Sequence, residues 1–162
     1  MSKNLAIAFG VGIVCLVIAV AGILYMQRGA HLDLPGKILK ARTAPLDEAS
    51  AVAVLDFRIA NPSDVPFVVR TVTVEMEDSS GNAYQGATIS EIDAQRVFQS
   101  IPLLGQKYND TLLMREKVAP HVTQDRMVAA RFEAPESTLE KRKRFVVRIE
   151  EIDGKVFELS EK

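Results

Sequence analysis

The sequence predicts a mainly β protein, built as a β-sandwich with one short helical insertion and preceded by a single transmembrane helix. Three observations lead to this prediction. An uncharged apolar run lies near the N-terminus, several short segments alternate apolar with polar residues, and turn-forming residues separate those segments. After the apolar run and a short stalk, about 120 residues remain, which suits a single domain.

The predicted transmembrane helix covers residues 5–26 and follows a short tail at residues 1–4. At 1.5 Å per residue, a helix of this length spans roughly 33 Å, enough for a bilayer core of ~30 Å. A cleaved signal peptide is the alternative, because Ala19-Val20-Ala21 fits the small-residue cleavage pattern. The apolar run continues to Met26, which favours the membrane helix. The positions that mark its course are Leu5, Gly10, Cys15, Ala19 and Tyr25.

The orientation of this helix has two readings. The basic residues that follow it, Arg28, Lys37, Lys40 and Arg42, would by count alone keep the domain in the cytoplasm, whereas its place near the N-terminus favours export. A short tail before a first apolar segment is the usual layout of a signal anchor, and long domains translocate largely regardless of flanking charge. We therefore expect a single-pass protein of the bacterial inner membrane with its C-terminal domain in the periplasm.

The predicted domain, residues 37–162, follows a stalk at residues 27–36 that shows no periodicity. Its first strand is expected at residues 37–42, and its clearest strand at residues 50–61. There, apolar side chains at every second position indicate one buried face. That face carries Ala51, Ala53, Leu55, Phe57 and Ile59.

A turn and two further strands are expected next. Asn61 and Pro62 predict the turn, because proline cannot donate to a strand ladder and asparagine favours turns. A strand is predicted at residues 67–77, with a bulge at Arg70 where the alternation changes phase. After a polar loop, the chain is expected to return as a strand at residues 84–89.

The middle of the domain is predicted to be helical. Ser90 and Asp93 resemble a capping box, with aspartate in place of the usual glutamate, and residues 91–99 show helical spacing. Strands are expected to resume at residues 109–114 and 125–132.

A hairpin is predicted to end the chain, with strands at residues 144–152 and 155–159. Between them, Asp153-Gly154 supplies the positive φ of a tight hairpin turn. The apolar face of the first strand carries Phe145, Val147 and Ile149.

Composition argues against several classes of function. Twenty basic and 21 acidic side chains give a net charge of −1, so no nucleic-acid partner is predicted. The single cysteine lies in the apolar run, and His31 and His121 show no metal-binding spacing, so neither a metal nor a cofactor is predicted. Glu75 and Glu77 share a strand face and leave one alternative open, an enzyme with an unrecognised carboxylate site.

One basic run stands out from this balanced composition. It could contact an anionic lipid surface, which leaves an anionic-lipid-binding protein as a second alternative. Its four residues are Lys141, Arg142, Lys143 and Arg144.

Residues 54–69, VLDFRIANPSDVPFVV, resemble the hallmark of late embryogenesis abundant type 2 proteins, the water-stress and hypersensitive-response domain. That hallmark is an alternating strand, an Asn-Pro turn and a second strand. The resemblance implies an immunoglobulin-like or fibronectin-III-like sandwich, often behind a membrane helix, with a non-enzymatic role linked to desiccation or envelope stress. The chain is also similar to the anchored, uncharacterised envelope proteins of Gram-negative bacteria.

These observations together predict a non-enzymatic, membrane-anchored binding or scaffolding module of the cell envelope. Its expected partners are membrane lipid, through residues 5–26, and another envelope protein. No catalytic, cofactor-binding or metal-binding residue is predicted.

Overall fold

The structure, a computed structural model, describes residues 12–22 and 34–161 of the 162-residue chain. The chain divides into two units, Met1–Leu32 and Asp33–Lys162. In the first unit, residues 12–22 form helix α1, whose side chains are exposed and include Cys15 and Ala19.

The predicted transmembrane helix extends beyond α1 at both ends. Leu5, Gly10 and Tyr25 lie outside the described residues. Within the described ranges, none of the helices is both long enough and apolar enough to cross a membrane.

In the second unit, residues 34–161 form eight strands, two α-helices and one 3₁₀ turn. In chain order, these are β1 (Gly36–Pro45), β2 (Ala51–Ala60), β3 (Phe67–Asp78), β4 (Ala83–Thr88), α2 (Glu91–Ser100), the 3₁₀ turn (Pro102–Leu104), β5 (Lys117–Val118), β6 (Thr123–Phe132), α3 (Glu136–Glu140), β7 (Arg142–Glu151) and β8 (Val156–Ser160).

The strands form one curled antiparallel sheet in the order β1-β2-β6-β4-β3-β7-β8, with β5 paired to β3. The mainly β prediction is therefore confirmed. The curl brings the two edge strands together, since a Cβ placed on Gly36 of β1 would lie 2.9 Å from Leu159 Cδ2 of β8.

Aromatic side chains fill the inside of the curled sheet. Phe57 of β2 is fully buried, as its alternation predicts. The rings of Phe132 on β6 and Phe145 on β7 lie with their centroids 5.9 Å apart. Gly86 of β4 allows this packing, because a Cβ there would lie 2.7 Å from Phe132 Cζ.

The opposite face of β2 is also buried, so the prediction of a single buried face is wrong. Val52, Val54 and Asp56 alternate with the inner residues and are all less than 4% exposed. Helix α2 and the 3₁₀ turn cover this outer face and form a second apolar layer. Its buried members are Ala44, Val52, Val54, Ala94, Leu104, Met127 and Ala129.

Local signals in the first half of the domain are confirmed. The β3–β7 register shifts between Val69 and Thr71, at the predicted bulge around Arg70. Helix α2 begins as predicted, with the N–H of Asp93 donating to the Ser90 hydroxyl at 3.1 Å. Ser90 therefore satisfies one of the unpaired N–H groups at the start of the helix.

The predicted strand at residues 109–114 is wrong. Only an isolated bridge between Thr111 and Met127 forms there. The main chain of residues 109–114 makes single hydrogen bonds instead of a strand ladder. One of them runs from the N–H of Leu112 to the Met127 carbonyl at 2.9 Å. The short helix α3 also had no counterpart among the predicted elements.

The final hairpin, β7–β8, forms as predicted, but its loop is longer than a tight two-residue turn. The N–H of Gly154 donates to the Glu151 carbonyl, and the N–H of Glu151 donates to the Lys155 carbonyl, both at 2.8 Å. Gly154 has a φ of +87°. This is a three-residue loop in which a turn is followed by a left-handed glycine.

The first strand of the described domain starts at one end of the sheet, and the last strand finishes at the other end. At one end, the N–H of Ala60 donates to the Pro35 carbonyl at 2.9 Å, and the N–H of Ile152 donates to the Val68 carbonyl at 3.0 Å. At the other end, the N–H of Glu161 donates to the Phe145 carbonyl at 2.9 Å. Strands β1 and β8 therefore run in the same direction along opposite edges of the sheet.

Candidate functional site

A cleft opens in the sheet where β3 and β4 separate. Their ladder ends at the Val74–Gly86 pair. Beyond it, β4 bends away, and its last two residues, Ala87 and Thr88, pair with β6 instead. Strand β3 regains a neighbour only near its N-terminus, where β5 pairs with its first two residues. The middle of β3 is therefore left without a strand on this side.

The cleft has a volume of about 350 Å³. Val72 of β3, Thr88 of β4 and Val128 of β6 line it, together with residues 111–114. Because Val72, Leu112 and Val128 are each less than 8% exposed, its deepest part is apolar.

The main chain of β3 is directed into this cleft. The N–H of Glu161 donates to the Phe145 carbonyl, so the main-chain groups of Phe145 point toward β8. Met76 lies opposite Phe145, and its main-chain groups therefore point the other way, toward β4. This direction repeats at every second residue, so it applies to Val74 and Val72 as well. Within residues 34–161, Val72 has no strand partner on that side.

The main chain of β4 faces the same cleft from the other wall. The N–H of Ile89 donates to the Ala129 carbonyl of β6 at 3.0 Å. By the same alternation, Ala87 also faces β6, whereas the N–H and C=O of Thr88 face β3. Thr88 and Val72 would form the next pair of the β3–β4 ladder, but the two strands have already separated there.

The rim of the cleft combines exposed apolar side chains with a buried hydroxyl. Leu113 is 48% exposed and Met114 is 71% exposed. Thr111 Oγ1 is buried and has no hydrogen-bond partner among the described residues. Buried polar groups in proteins are nearly always hydrogen-bonded, which makes this hydroxyl unusual.

Glu91, at the start of α2, lies at the mouth of the cleft and is already engaged. Its carboxylate lies 2.7 Å from Lys107 Nζ and accepts the N–H of Thr111 at 3.3 Å. Burial raises the pKa of Glu91, but hydrogen bonds from Lys107, Thr111 and Gln95 outweigh it and hold the pKa below its ordinary value. The carboxylate is therefore ionised and neutralised by Lys107 at physiological pH.

A buried ion pair fixes the segment that leads into the cleft. Arg42 Nη2 lies 2.6 Å from Asp56 Oδ2, and Arg42 Nη1 donates to the carbonyls of Leu104 and Gln106, each at 2.7 Å. Asn109 Nδ2 donates to the second carboxylate oxygen of Asp56 at 2.8 Å. These bonds hold the chain between the 3₁₀ turn and Thr111 against the outer face of β1 and β2.

The predicted lipid-contact residues lie away from the cleft and mostly pair with carboxylates. Arg142 bonds both oxygens of Glu161, at 2.7 and 2.8 Å. Lys143 and Arg144 each lie 2.6 Å from an oxygen of Glu77. Lys141 is exposed. Local pairing therefore reduces the positive field of this run, and its role in lipid contact stays a prediction.

The two carboxylates of the enzyme alternative are also ion-paired. Glu75 pairs with Arg148. Hydrogen bonds from Lys143 and Arg144 hold the pKa of Glu77 below its ordinary value. A carboxyl group with a lowered pKa is a poor proton donor at neutral pH, so the geometry gives Glu77 no role as a general acid.

The histidines do not contribute to the cleft. His121 Nε2 lies 2.9 Å from Asp64 Oδ1 in an exposed loop pair. His31 lies outside the described residues. In residues 12–22 and 34–161, no group of three or more histidine, cysteine, aspartate or glutamate side chains could hold a metal ion.

The cleft leaves no motif in the sequence, because main-chain groups form much of its walls, whereas sequence motifs consist of side chains. One signal was present. The strand predicted at residues 67–77 is about twice as long as its partner at residues 84–89, so part of its edge could not be paired by that partner. The unpaired part is where the cleft opens.

Comparison with known proteins gives no assignment. No family model and no curated protein matches the chain. A crystal structure of an uncharacterized beta-sandwich protein from Clostridium difficile 630 is similar at 15% identity, covering 80% of this chain and 82% of that chain, with a TM-score of 0.35. The protein of a flagellar-like filament is similar at 12% identity, covering 96% and 97%, with a TM-score of 0.32. Likenesses this weak indicate no function.

Proposed function

We propose that this chain is a non-enzymatic binding module of the bacterial envelope, held in the inner membrane by residues 5–26. Its β domain, whose curled sheet would correspond to a flattened immunoglobulin-like sandwich, works on the periplasmic side and binds another envelope protein. The cleft between β3 and β4 is the observation that carries this proposal. A role in envelope stress is the finer proposal that follows from the resemblance of residues 54–69.

The chemistry of the cleft supports binding rather than catalysis. Its described walls offer main-chain donors and acceptors, hydroxyl groups and apolar side chains. Glu91, the carboxylate at its mouth, is bound by Lys107 and so is not free to act as a base. Concave, mostly apolar sites with a few directed polar groups are typical of binding sites.

The membrane part of the proposal is supported by the N-terminal sequence. Residues 5–26 carry no charge and are long enough to span a bilayer core, and a short stalk separates them from the domain. Membrane lipid is therefore the proposed partner of this segment.

Site-specific photo-crosslinking in living cells tests the binding role. A photoreactive residue replaces Met114 at the rim of the cleft in one full-length variant, and Leu103 in a control. Both positions are 71% exposed, but only Met114 lines the cleft. We expect a discrete cross-linked protein from position 114 and none from position 103. Equal labelling at both positions, or none at either, would contradict the proposal.

A C-terminal alkaline phosphatase fusion tests the topology, since this enzyme is active only outside the cytoplasm. We expect activity from the native chain and a loss of activity when Val17 and Ile18 are both changed to arginine, because charge opposes insertion. An inactive native fusion would place the domain in the cytoplasm.

A further inference from the structure

We propose that the cleft binds a short extended peptide segment, which pairs through its main chain with the exposed edge of β3. This inference rests on the proposed binding role and names its ligand class. The segment would occupy the position that β4 leaves after Gly86.

The open main-chain groups define this ligand. Val72 directs one N–H and one C=O into the cleft, and Thr88 directs the same pair from the opposite wall. Neither residue has a strand partner across the cleft, and an extended peptide supplies a donor and an acceptor at every second residue. Strand addition to an exposed sheet edge is an established way for proteins to bind peptides.

The size of the cleft limits the segment to a few residues. Its volume of about 350 Å³ is near the lower end for ligand sites, so a folded domain could not enter. The bound part must therefore be an extended end or loop of a partner.

The walls indicate which side chains this segment carries. The buried surface of Val72, Leu112 and Val128 favours an apolar side chain directed inward. Leu113 and Met114 can close over it, and methionine adapts readily to different shapes. Because Lys107 already neutralises Glu91, the mouth favours neither an anion nor a cation.

The experiment uses the full-length chain in lipid nanodiscs and the neutral probe acetyl-Thr-Val-Trp-Val-Thr-amide. The chain contains no tryptophan, so in nanodiscs built with a tryptophan-free scaffold protein the tryptophan fluorescence reports the probe alone. We expect a saturable blue shift beyond that seen with empty nanodiscs. A matched probe, N-methylated at its three central residues, keeps its apolar side chains but lacks those N–H donors. It should bind about tenfold more weakly or not at all.

Two phenylalanine substitutions locate the binding. Thr88→Phe fills the cleft, whereas Thr123→Phe places the same ring on an exposed threonine at the start of β6. The first should weaken binding by about tenfold or more, and the second should leave it unchanged. If Thr88→Phe does not fold, Met114→Lys at the exposed rim provides the same comparison.

Each other outcome contradicts the peptide proposal. Equal binding of the N-methylated probe would show apolar recognition without main-chain pairing. Binding of decanoate but not of the peptide would identify an acyl-chain site. Failure of the peptide to bind at its solubility limit would exclude this ligand class. A specific cross-link at position 114 would still support a binding module in that case, so the two proposals can fail separately.

Discussion

The guanidinium of Arg42 and the carboxylate of Asp56 lie 2.6 Å apart, and their side chains are only 9% and 4% exposed. Removing one member of a buried pair leaves the other charge uncompensated. We therefore expect Asp56→Asn to lower the free energy of unfolding by about 3–5 kcal/mol, measured by urea denaturation.

The exposed pair of Arg58 and Asp125, with N–O contacts of 2.6 and 2.8 Å, provides the control. Asp125→Asn should cost much less, because water solvates the arginine that it releases. A loss from Asp56→Asn no greater than that from Asp125→Asn would contradict the buried ion pair.

Substitution of Gly154 should destabilise the final hairpin. Its φ of +87° is unfavourable for residues with a side chain, most of all for β-branched ones. Gly154→Val should lower the melting temperature, at a cost of about 1–2 kcal/mol, without abolishing folding. Gly154→Asn should cost less, since asparagine tolerates positive φ better. Equal melting temperatures for both variants and the native chain would show that the loop adopts another conformation.

The stabilising effect of Glu161 should depend on pH. Hydrogen bonds from Arg142 hold the pKa of Glu161 below its ordinary value. A lowered pKa in the folded state stabilises the fold fully above the unfolded-state pKa, and this contribution disappears as the pH falls through the folded-state pKa. Glu161→Gln should therefore be less stable than the native chain at neutral pH and equally stable in strong acid.

Urea denaturation over this pH range provides the measurement, with Glu48→Gln as an exposed control. The control should show no comparable pH-dependent difference. A deficit in Glu161→Gln that persists unchanged in strong acid would point to a loss of packing instead of charge.

Neutralising Glu77 should increase binding to anionic lipid. Glu77 holds both Lys143 and Arg144, so Glu77→Gln releases two cations beside Lys141. We expect the full-length variant, in neutral nanodiscs, to co-sediment more strongly with anionic vesicles than the native chain, and to lose this gain at high salt. Asp125→Asn changes net charge equally elsewhere in the domain, and it should give a smaller gain. Equal gains would show that net charge alone matters.

The alternation of apolar and polar residues predicted the strands more reliably than it predicted which elements pack over their faces. The alternation from Ala51 to Ile59 identifies β2 and its inner face, because strand period is a local property. The burial of Val52 and Val54 depends on α2, which is about 40 residues away in the sequence. Similarly, the glycine of the final turn was recognisable, but the loop length was not, since exposed Ile152 resembles a strand residue.

The candidate site was harder to predict, because it also depends on contacts between residues that are distant in sequence. Charged side chains such as Lys143 are visible in the sequence, but their partners are distant along the chain. The partner of Lys143, Glu77, is 66 residues away. The cleft depends on where β4 leaves β3 and on which way the main chain of Val72 points. The residue types alone determine neither the point where the strands separate nor the direction of this main chain.

The parallel course of the two edge strands has a mechanical consequence. Strand β1 starts at Gly36, where the described domain begins, and β8 finishes at Ser160, at the other end of the strands. Tension applied between these two points acts along the strand axes. It loads the hydrogen bonds of the β1–β2 and β7–β8 ladders in shear, all at once, instead of peeling them apart one by one. The domain therefore resists stretching along its strands.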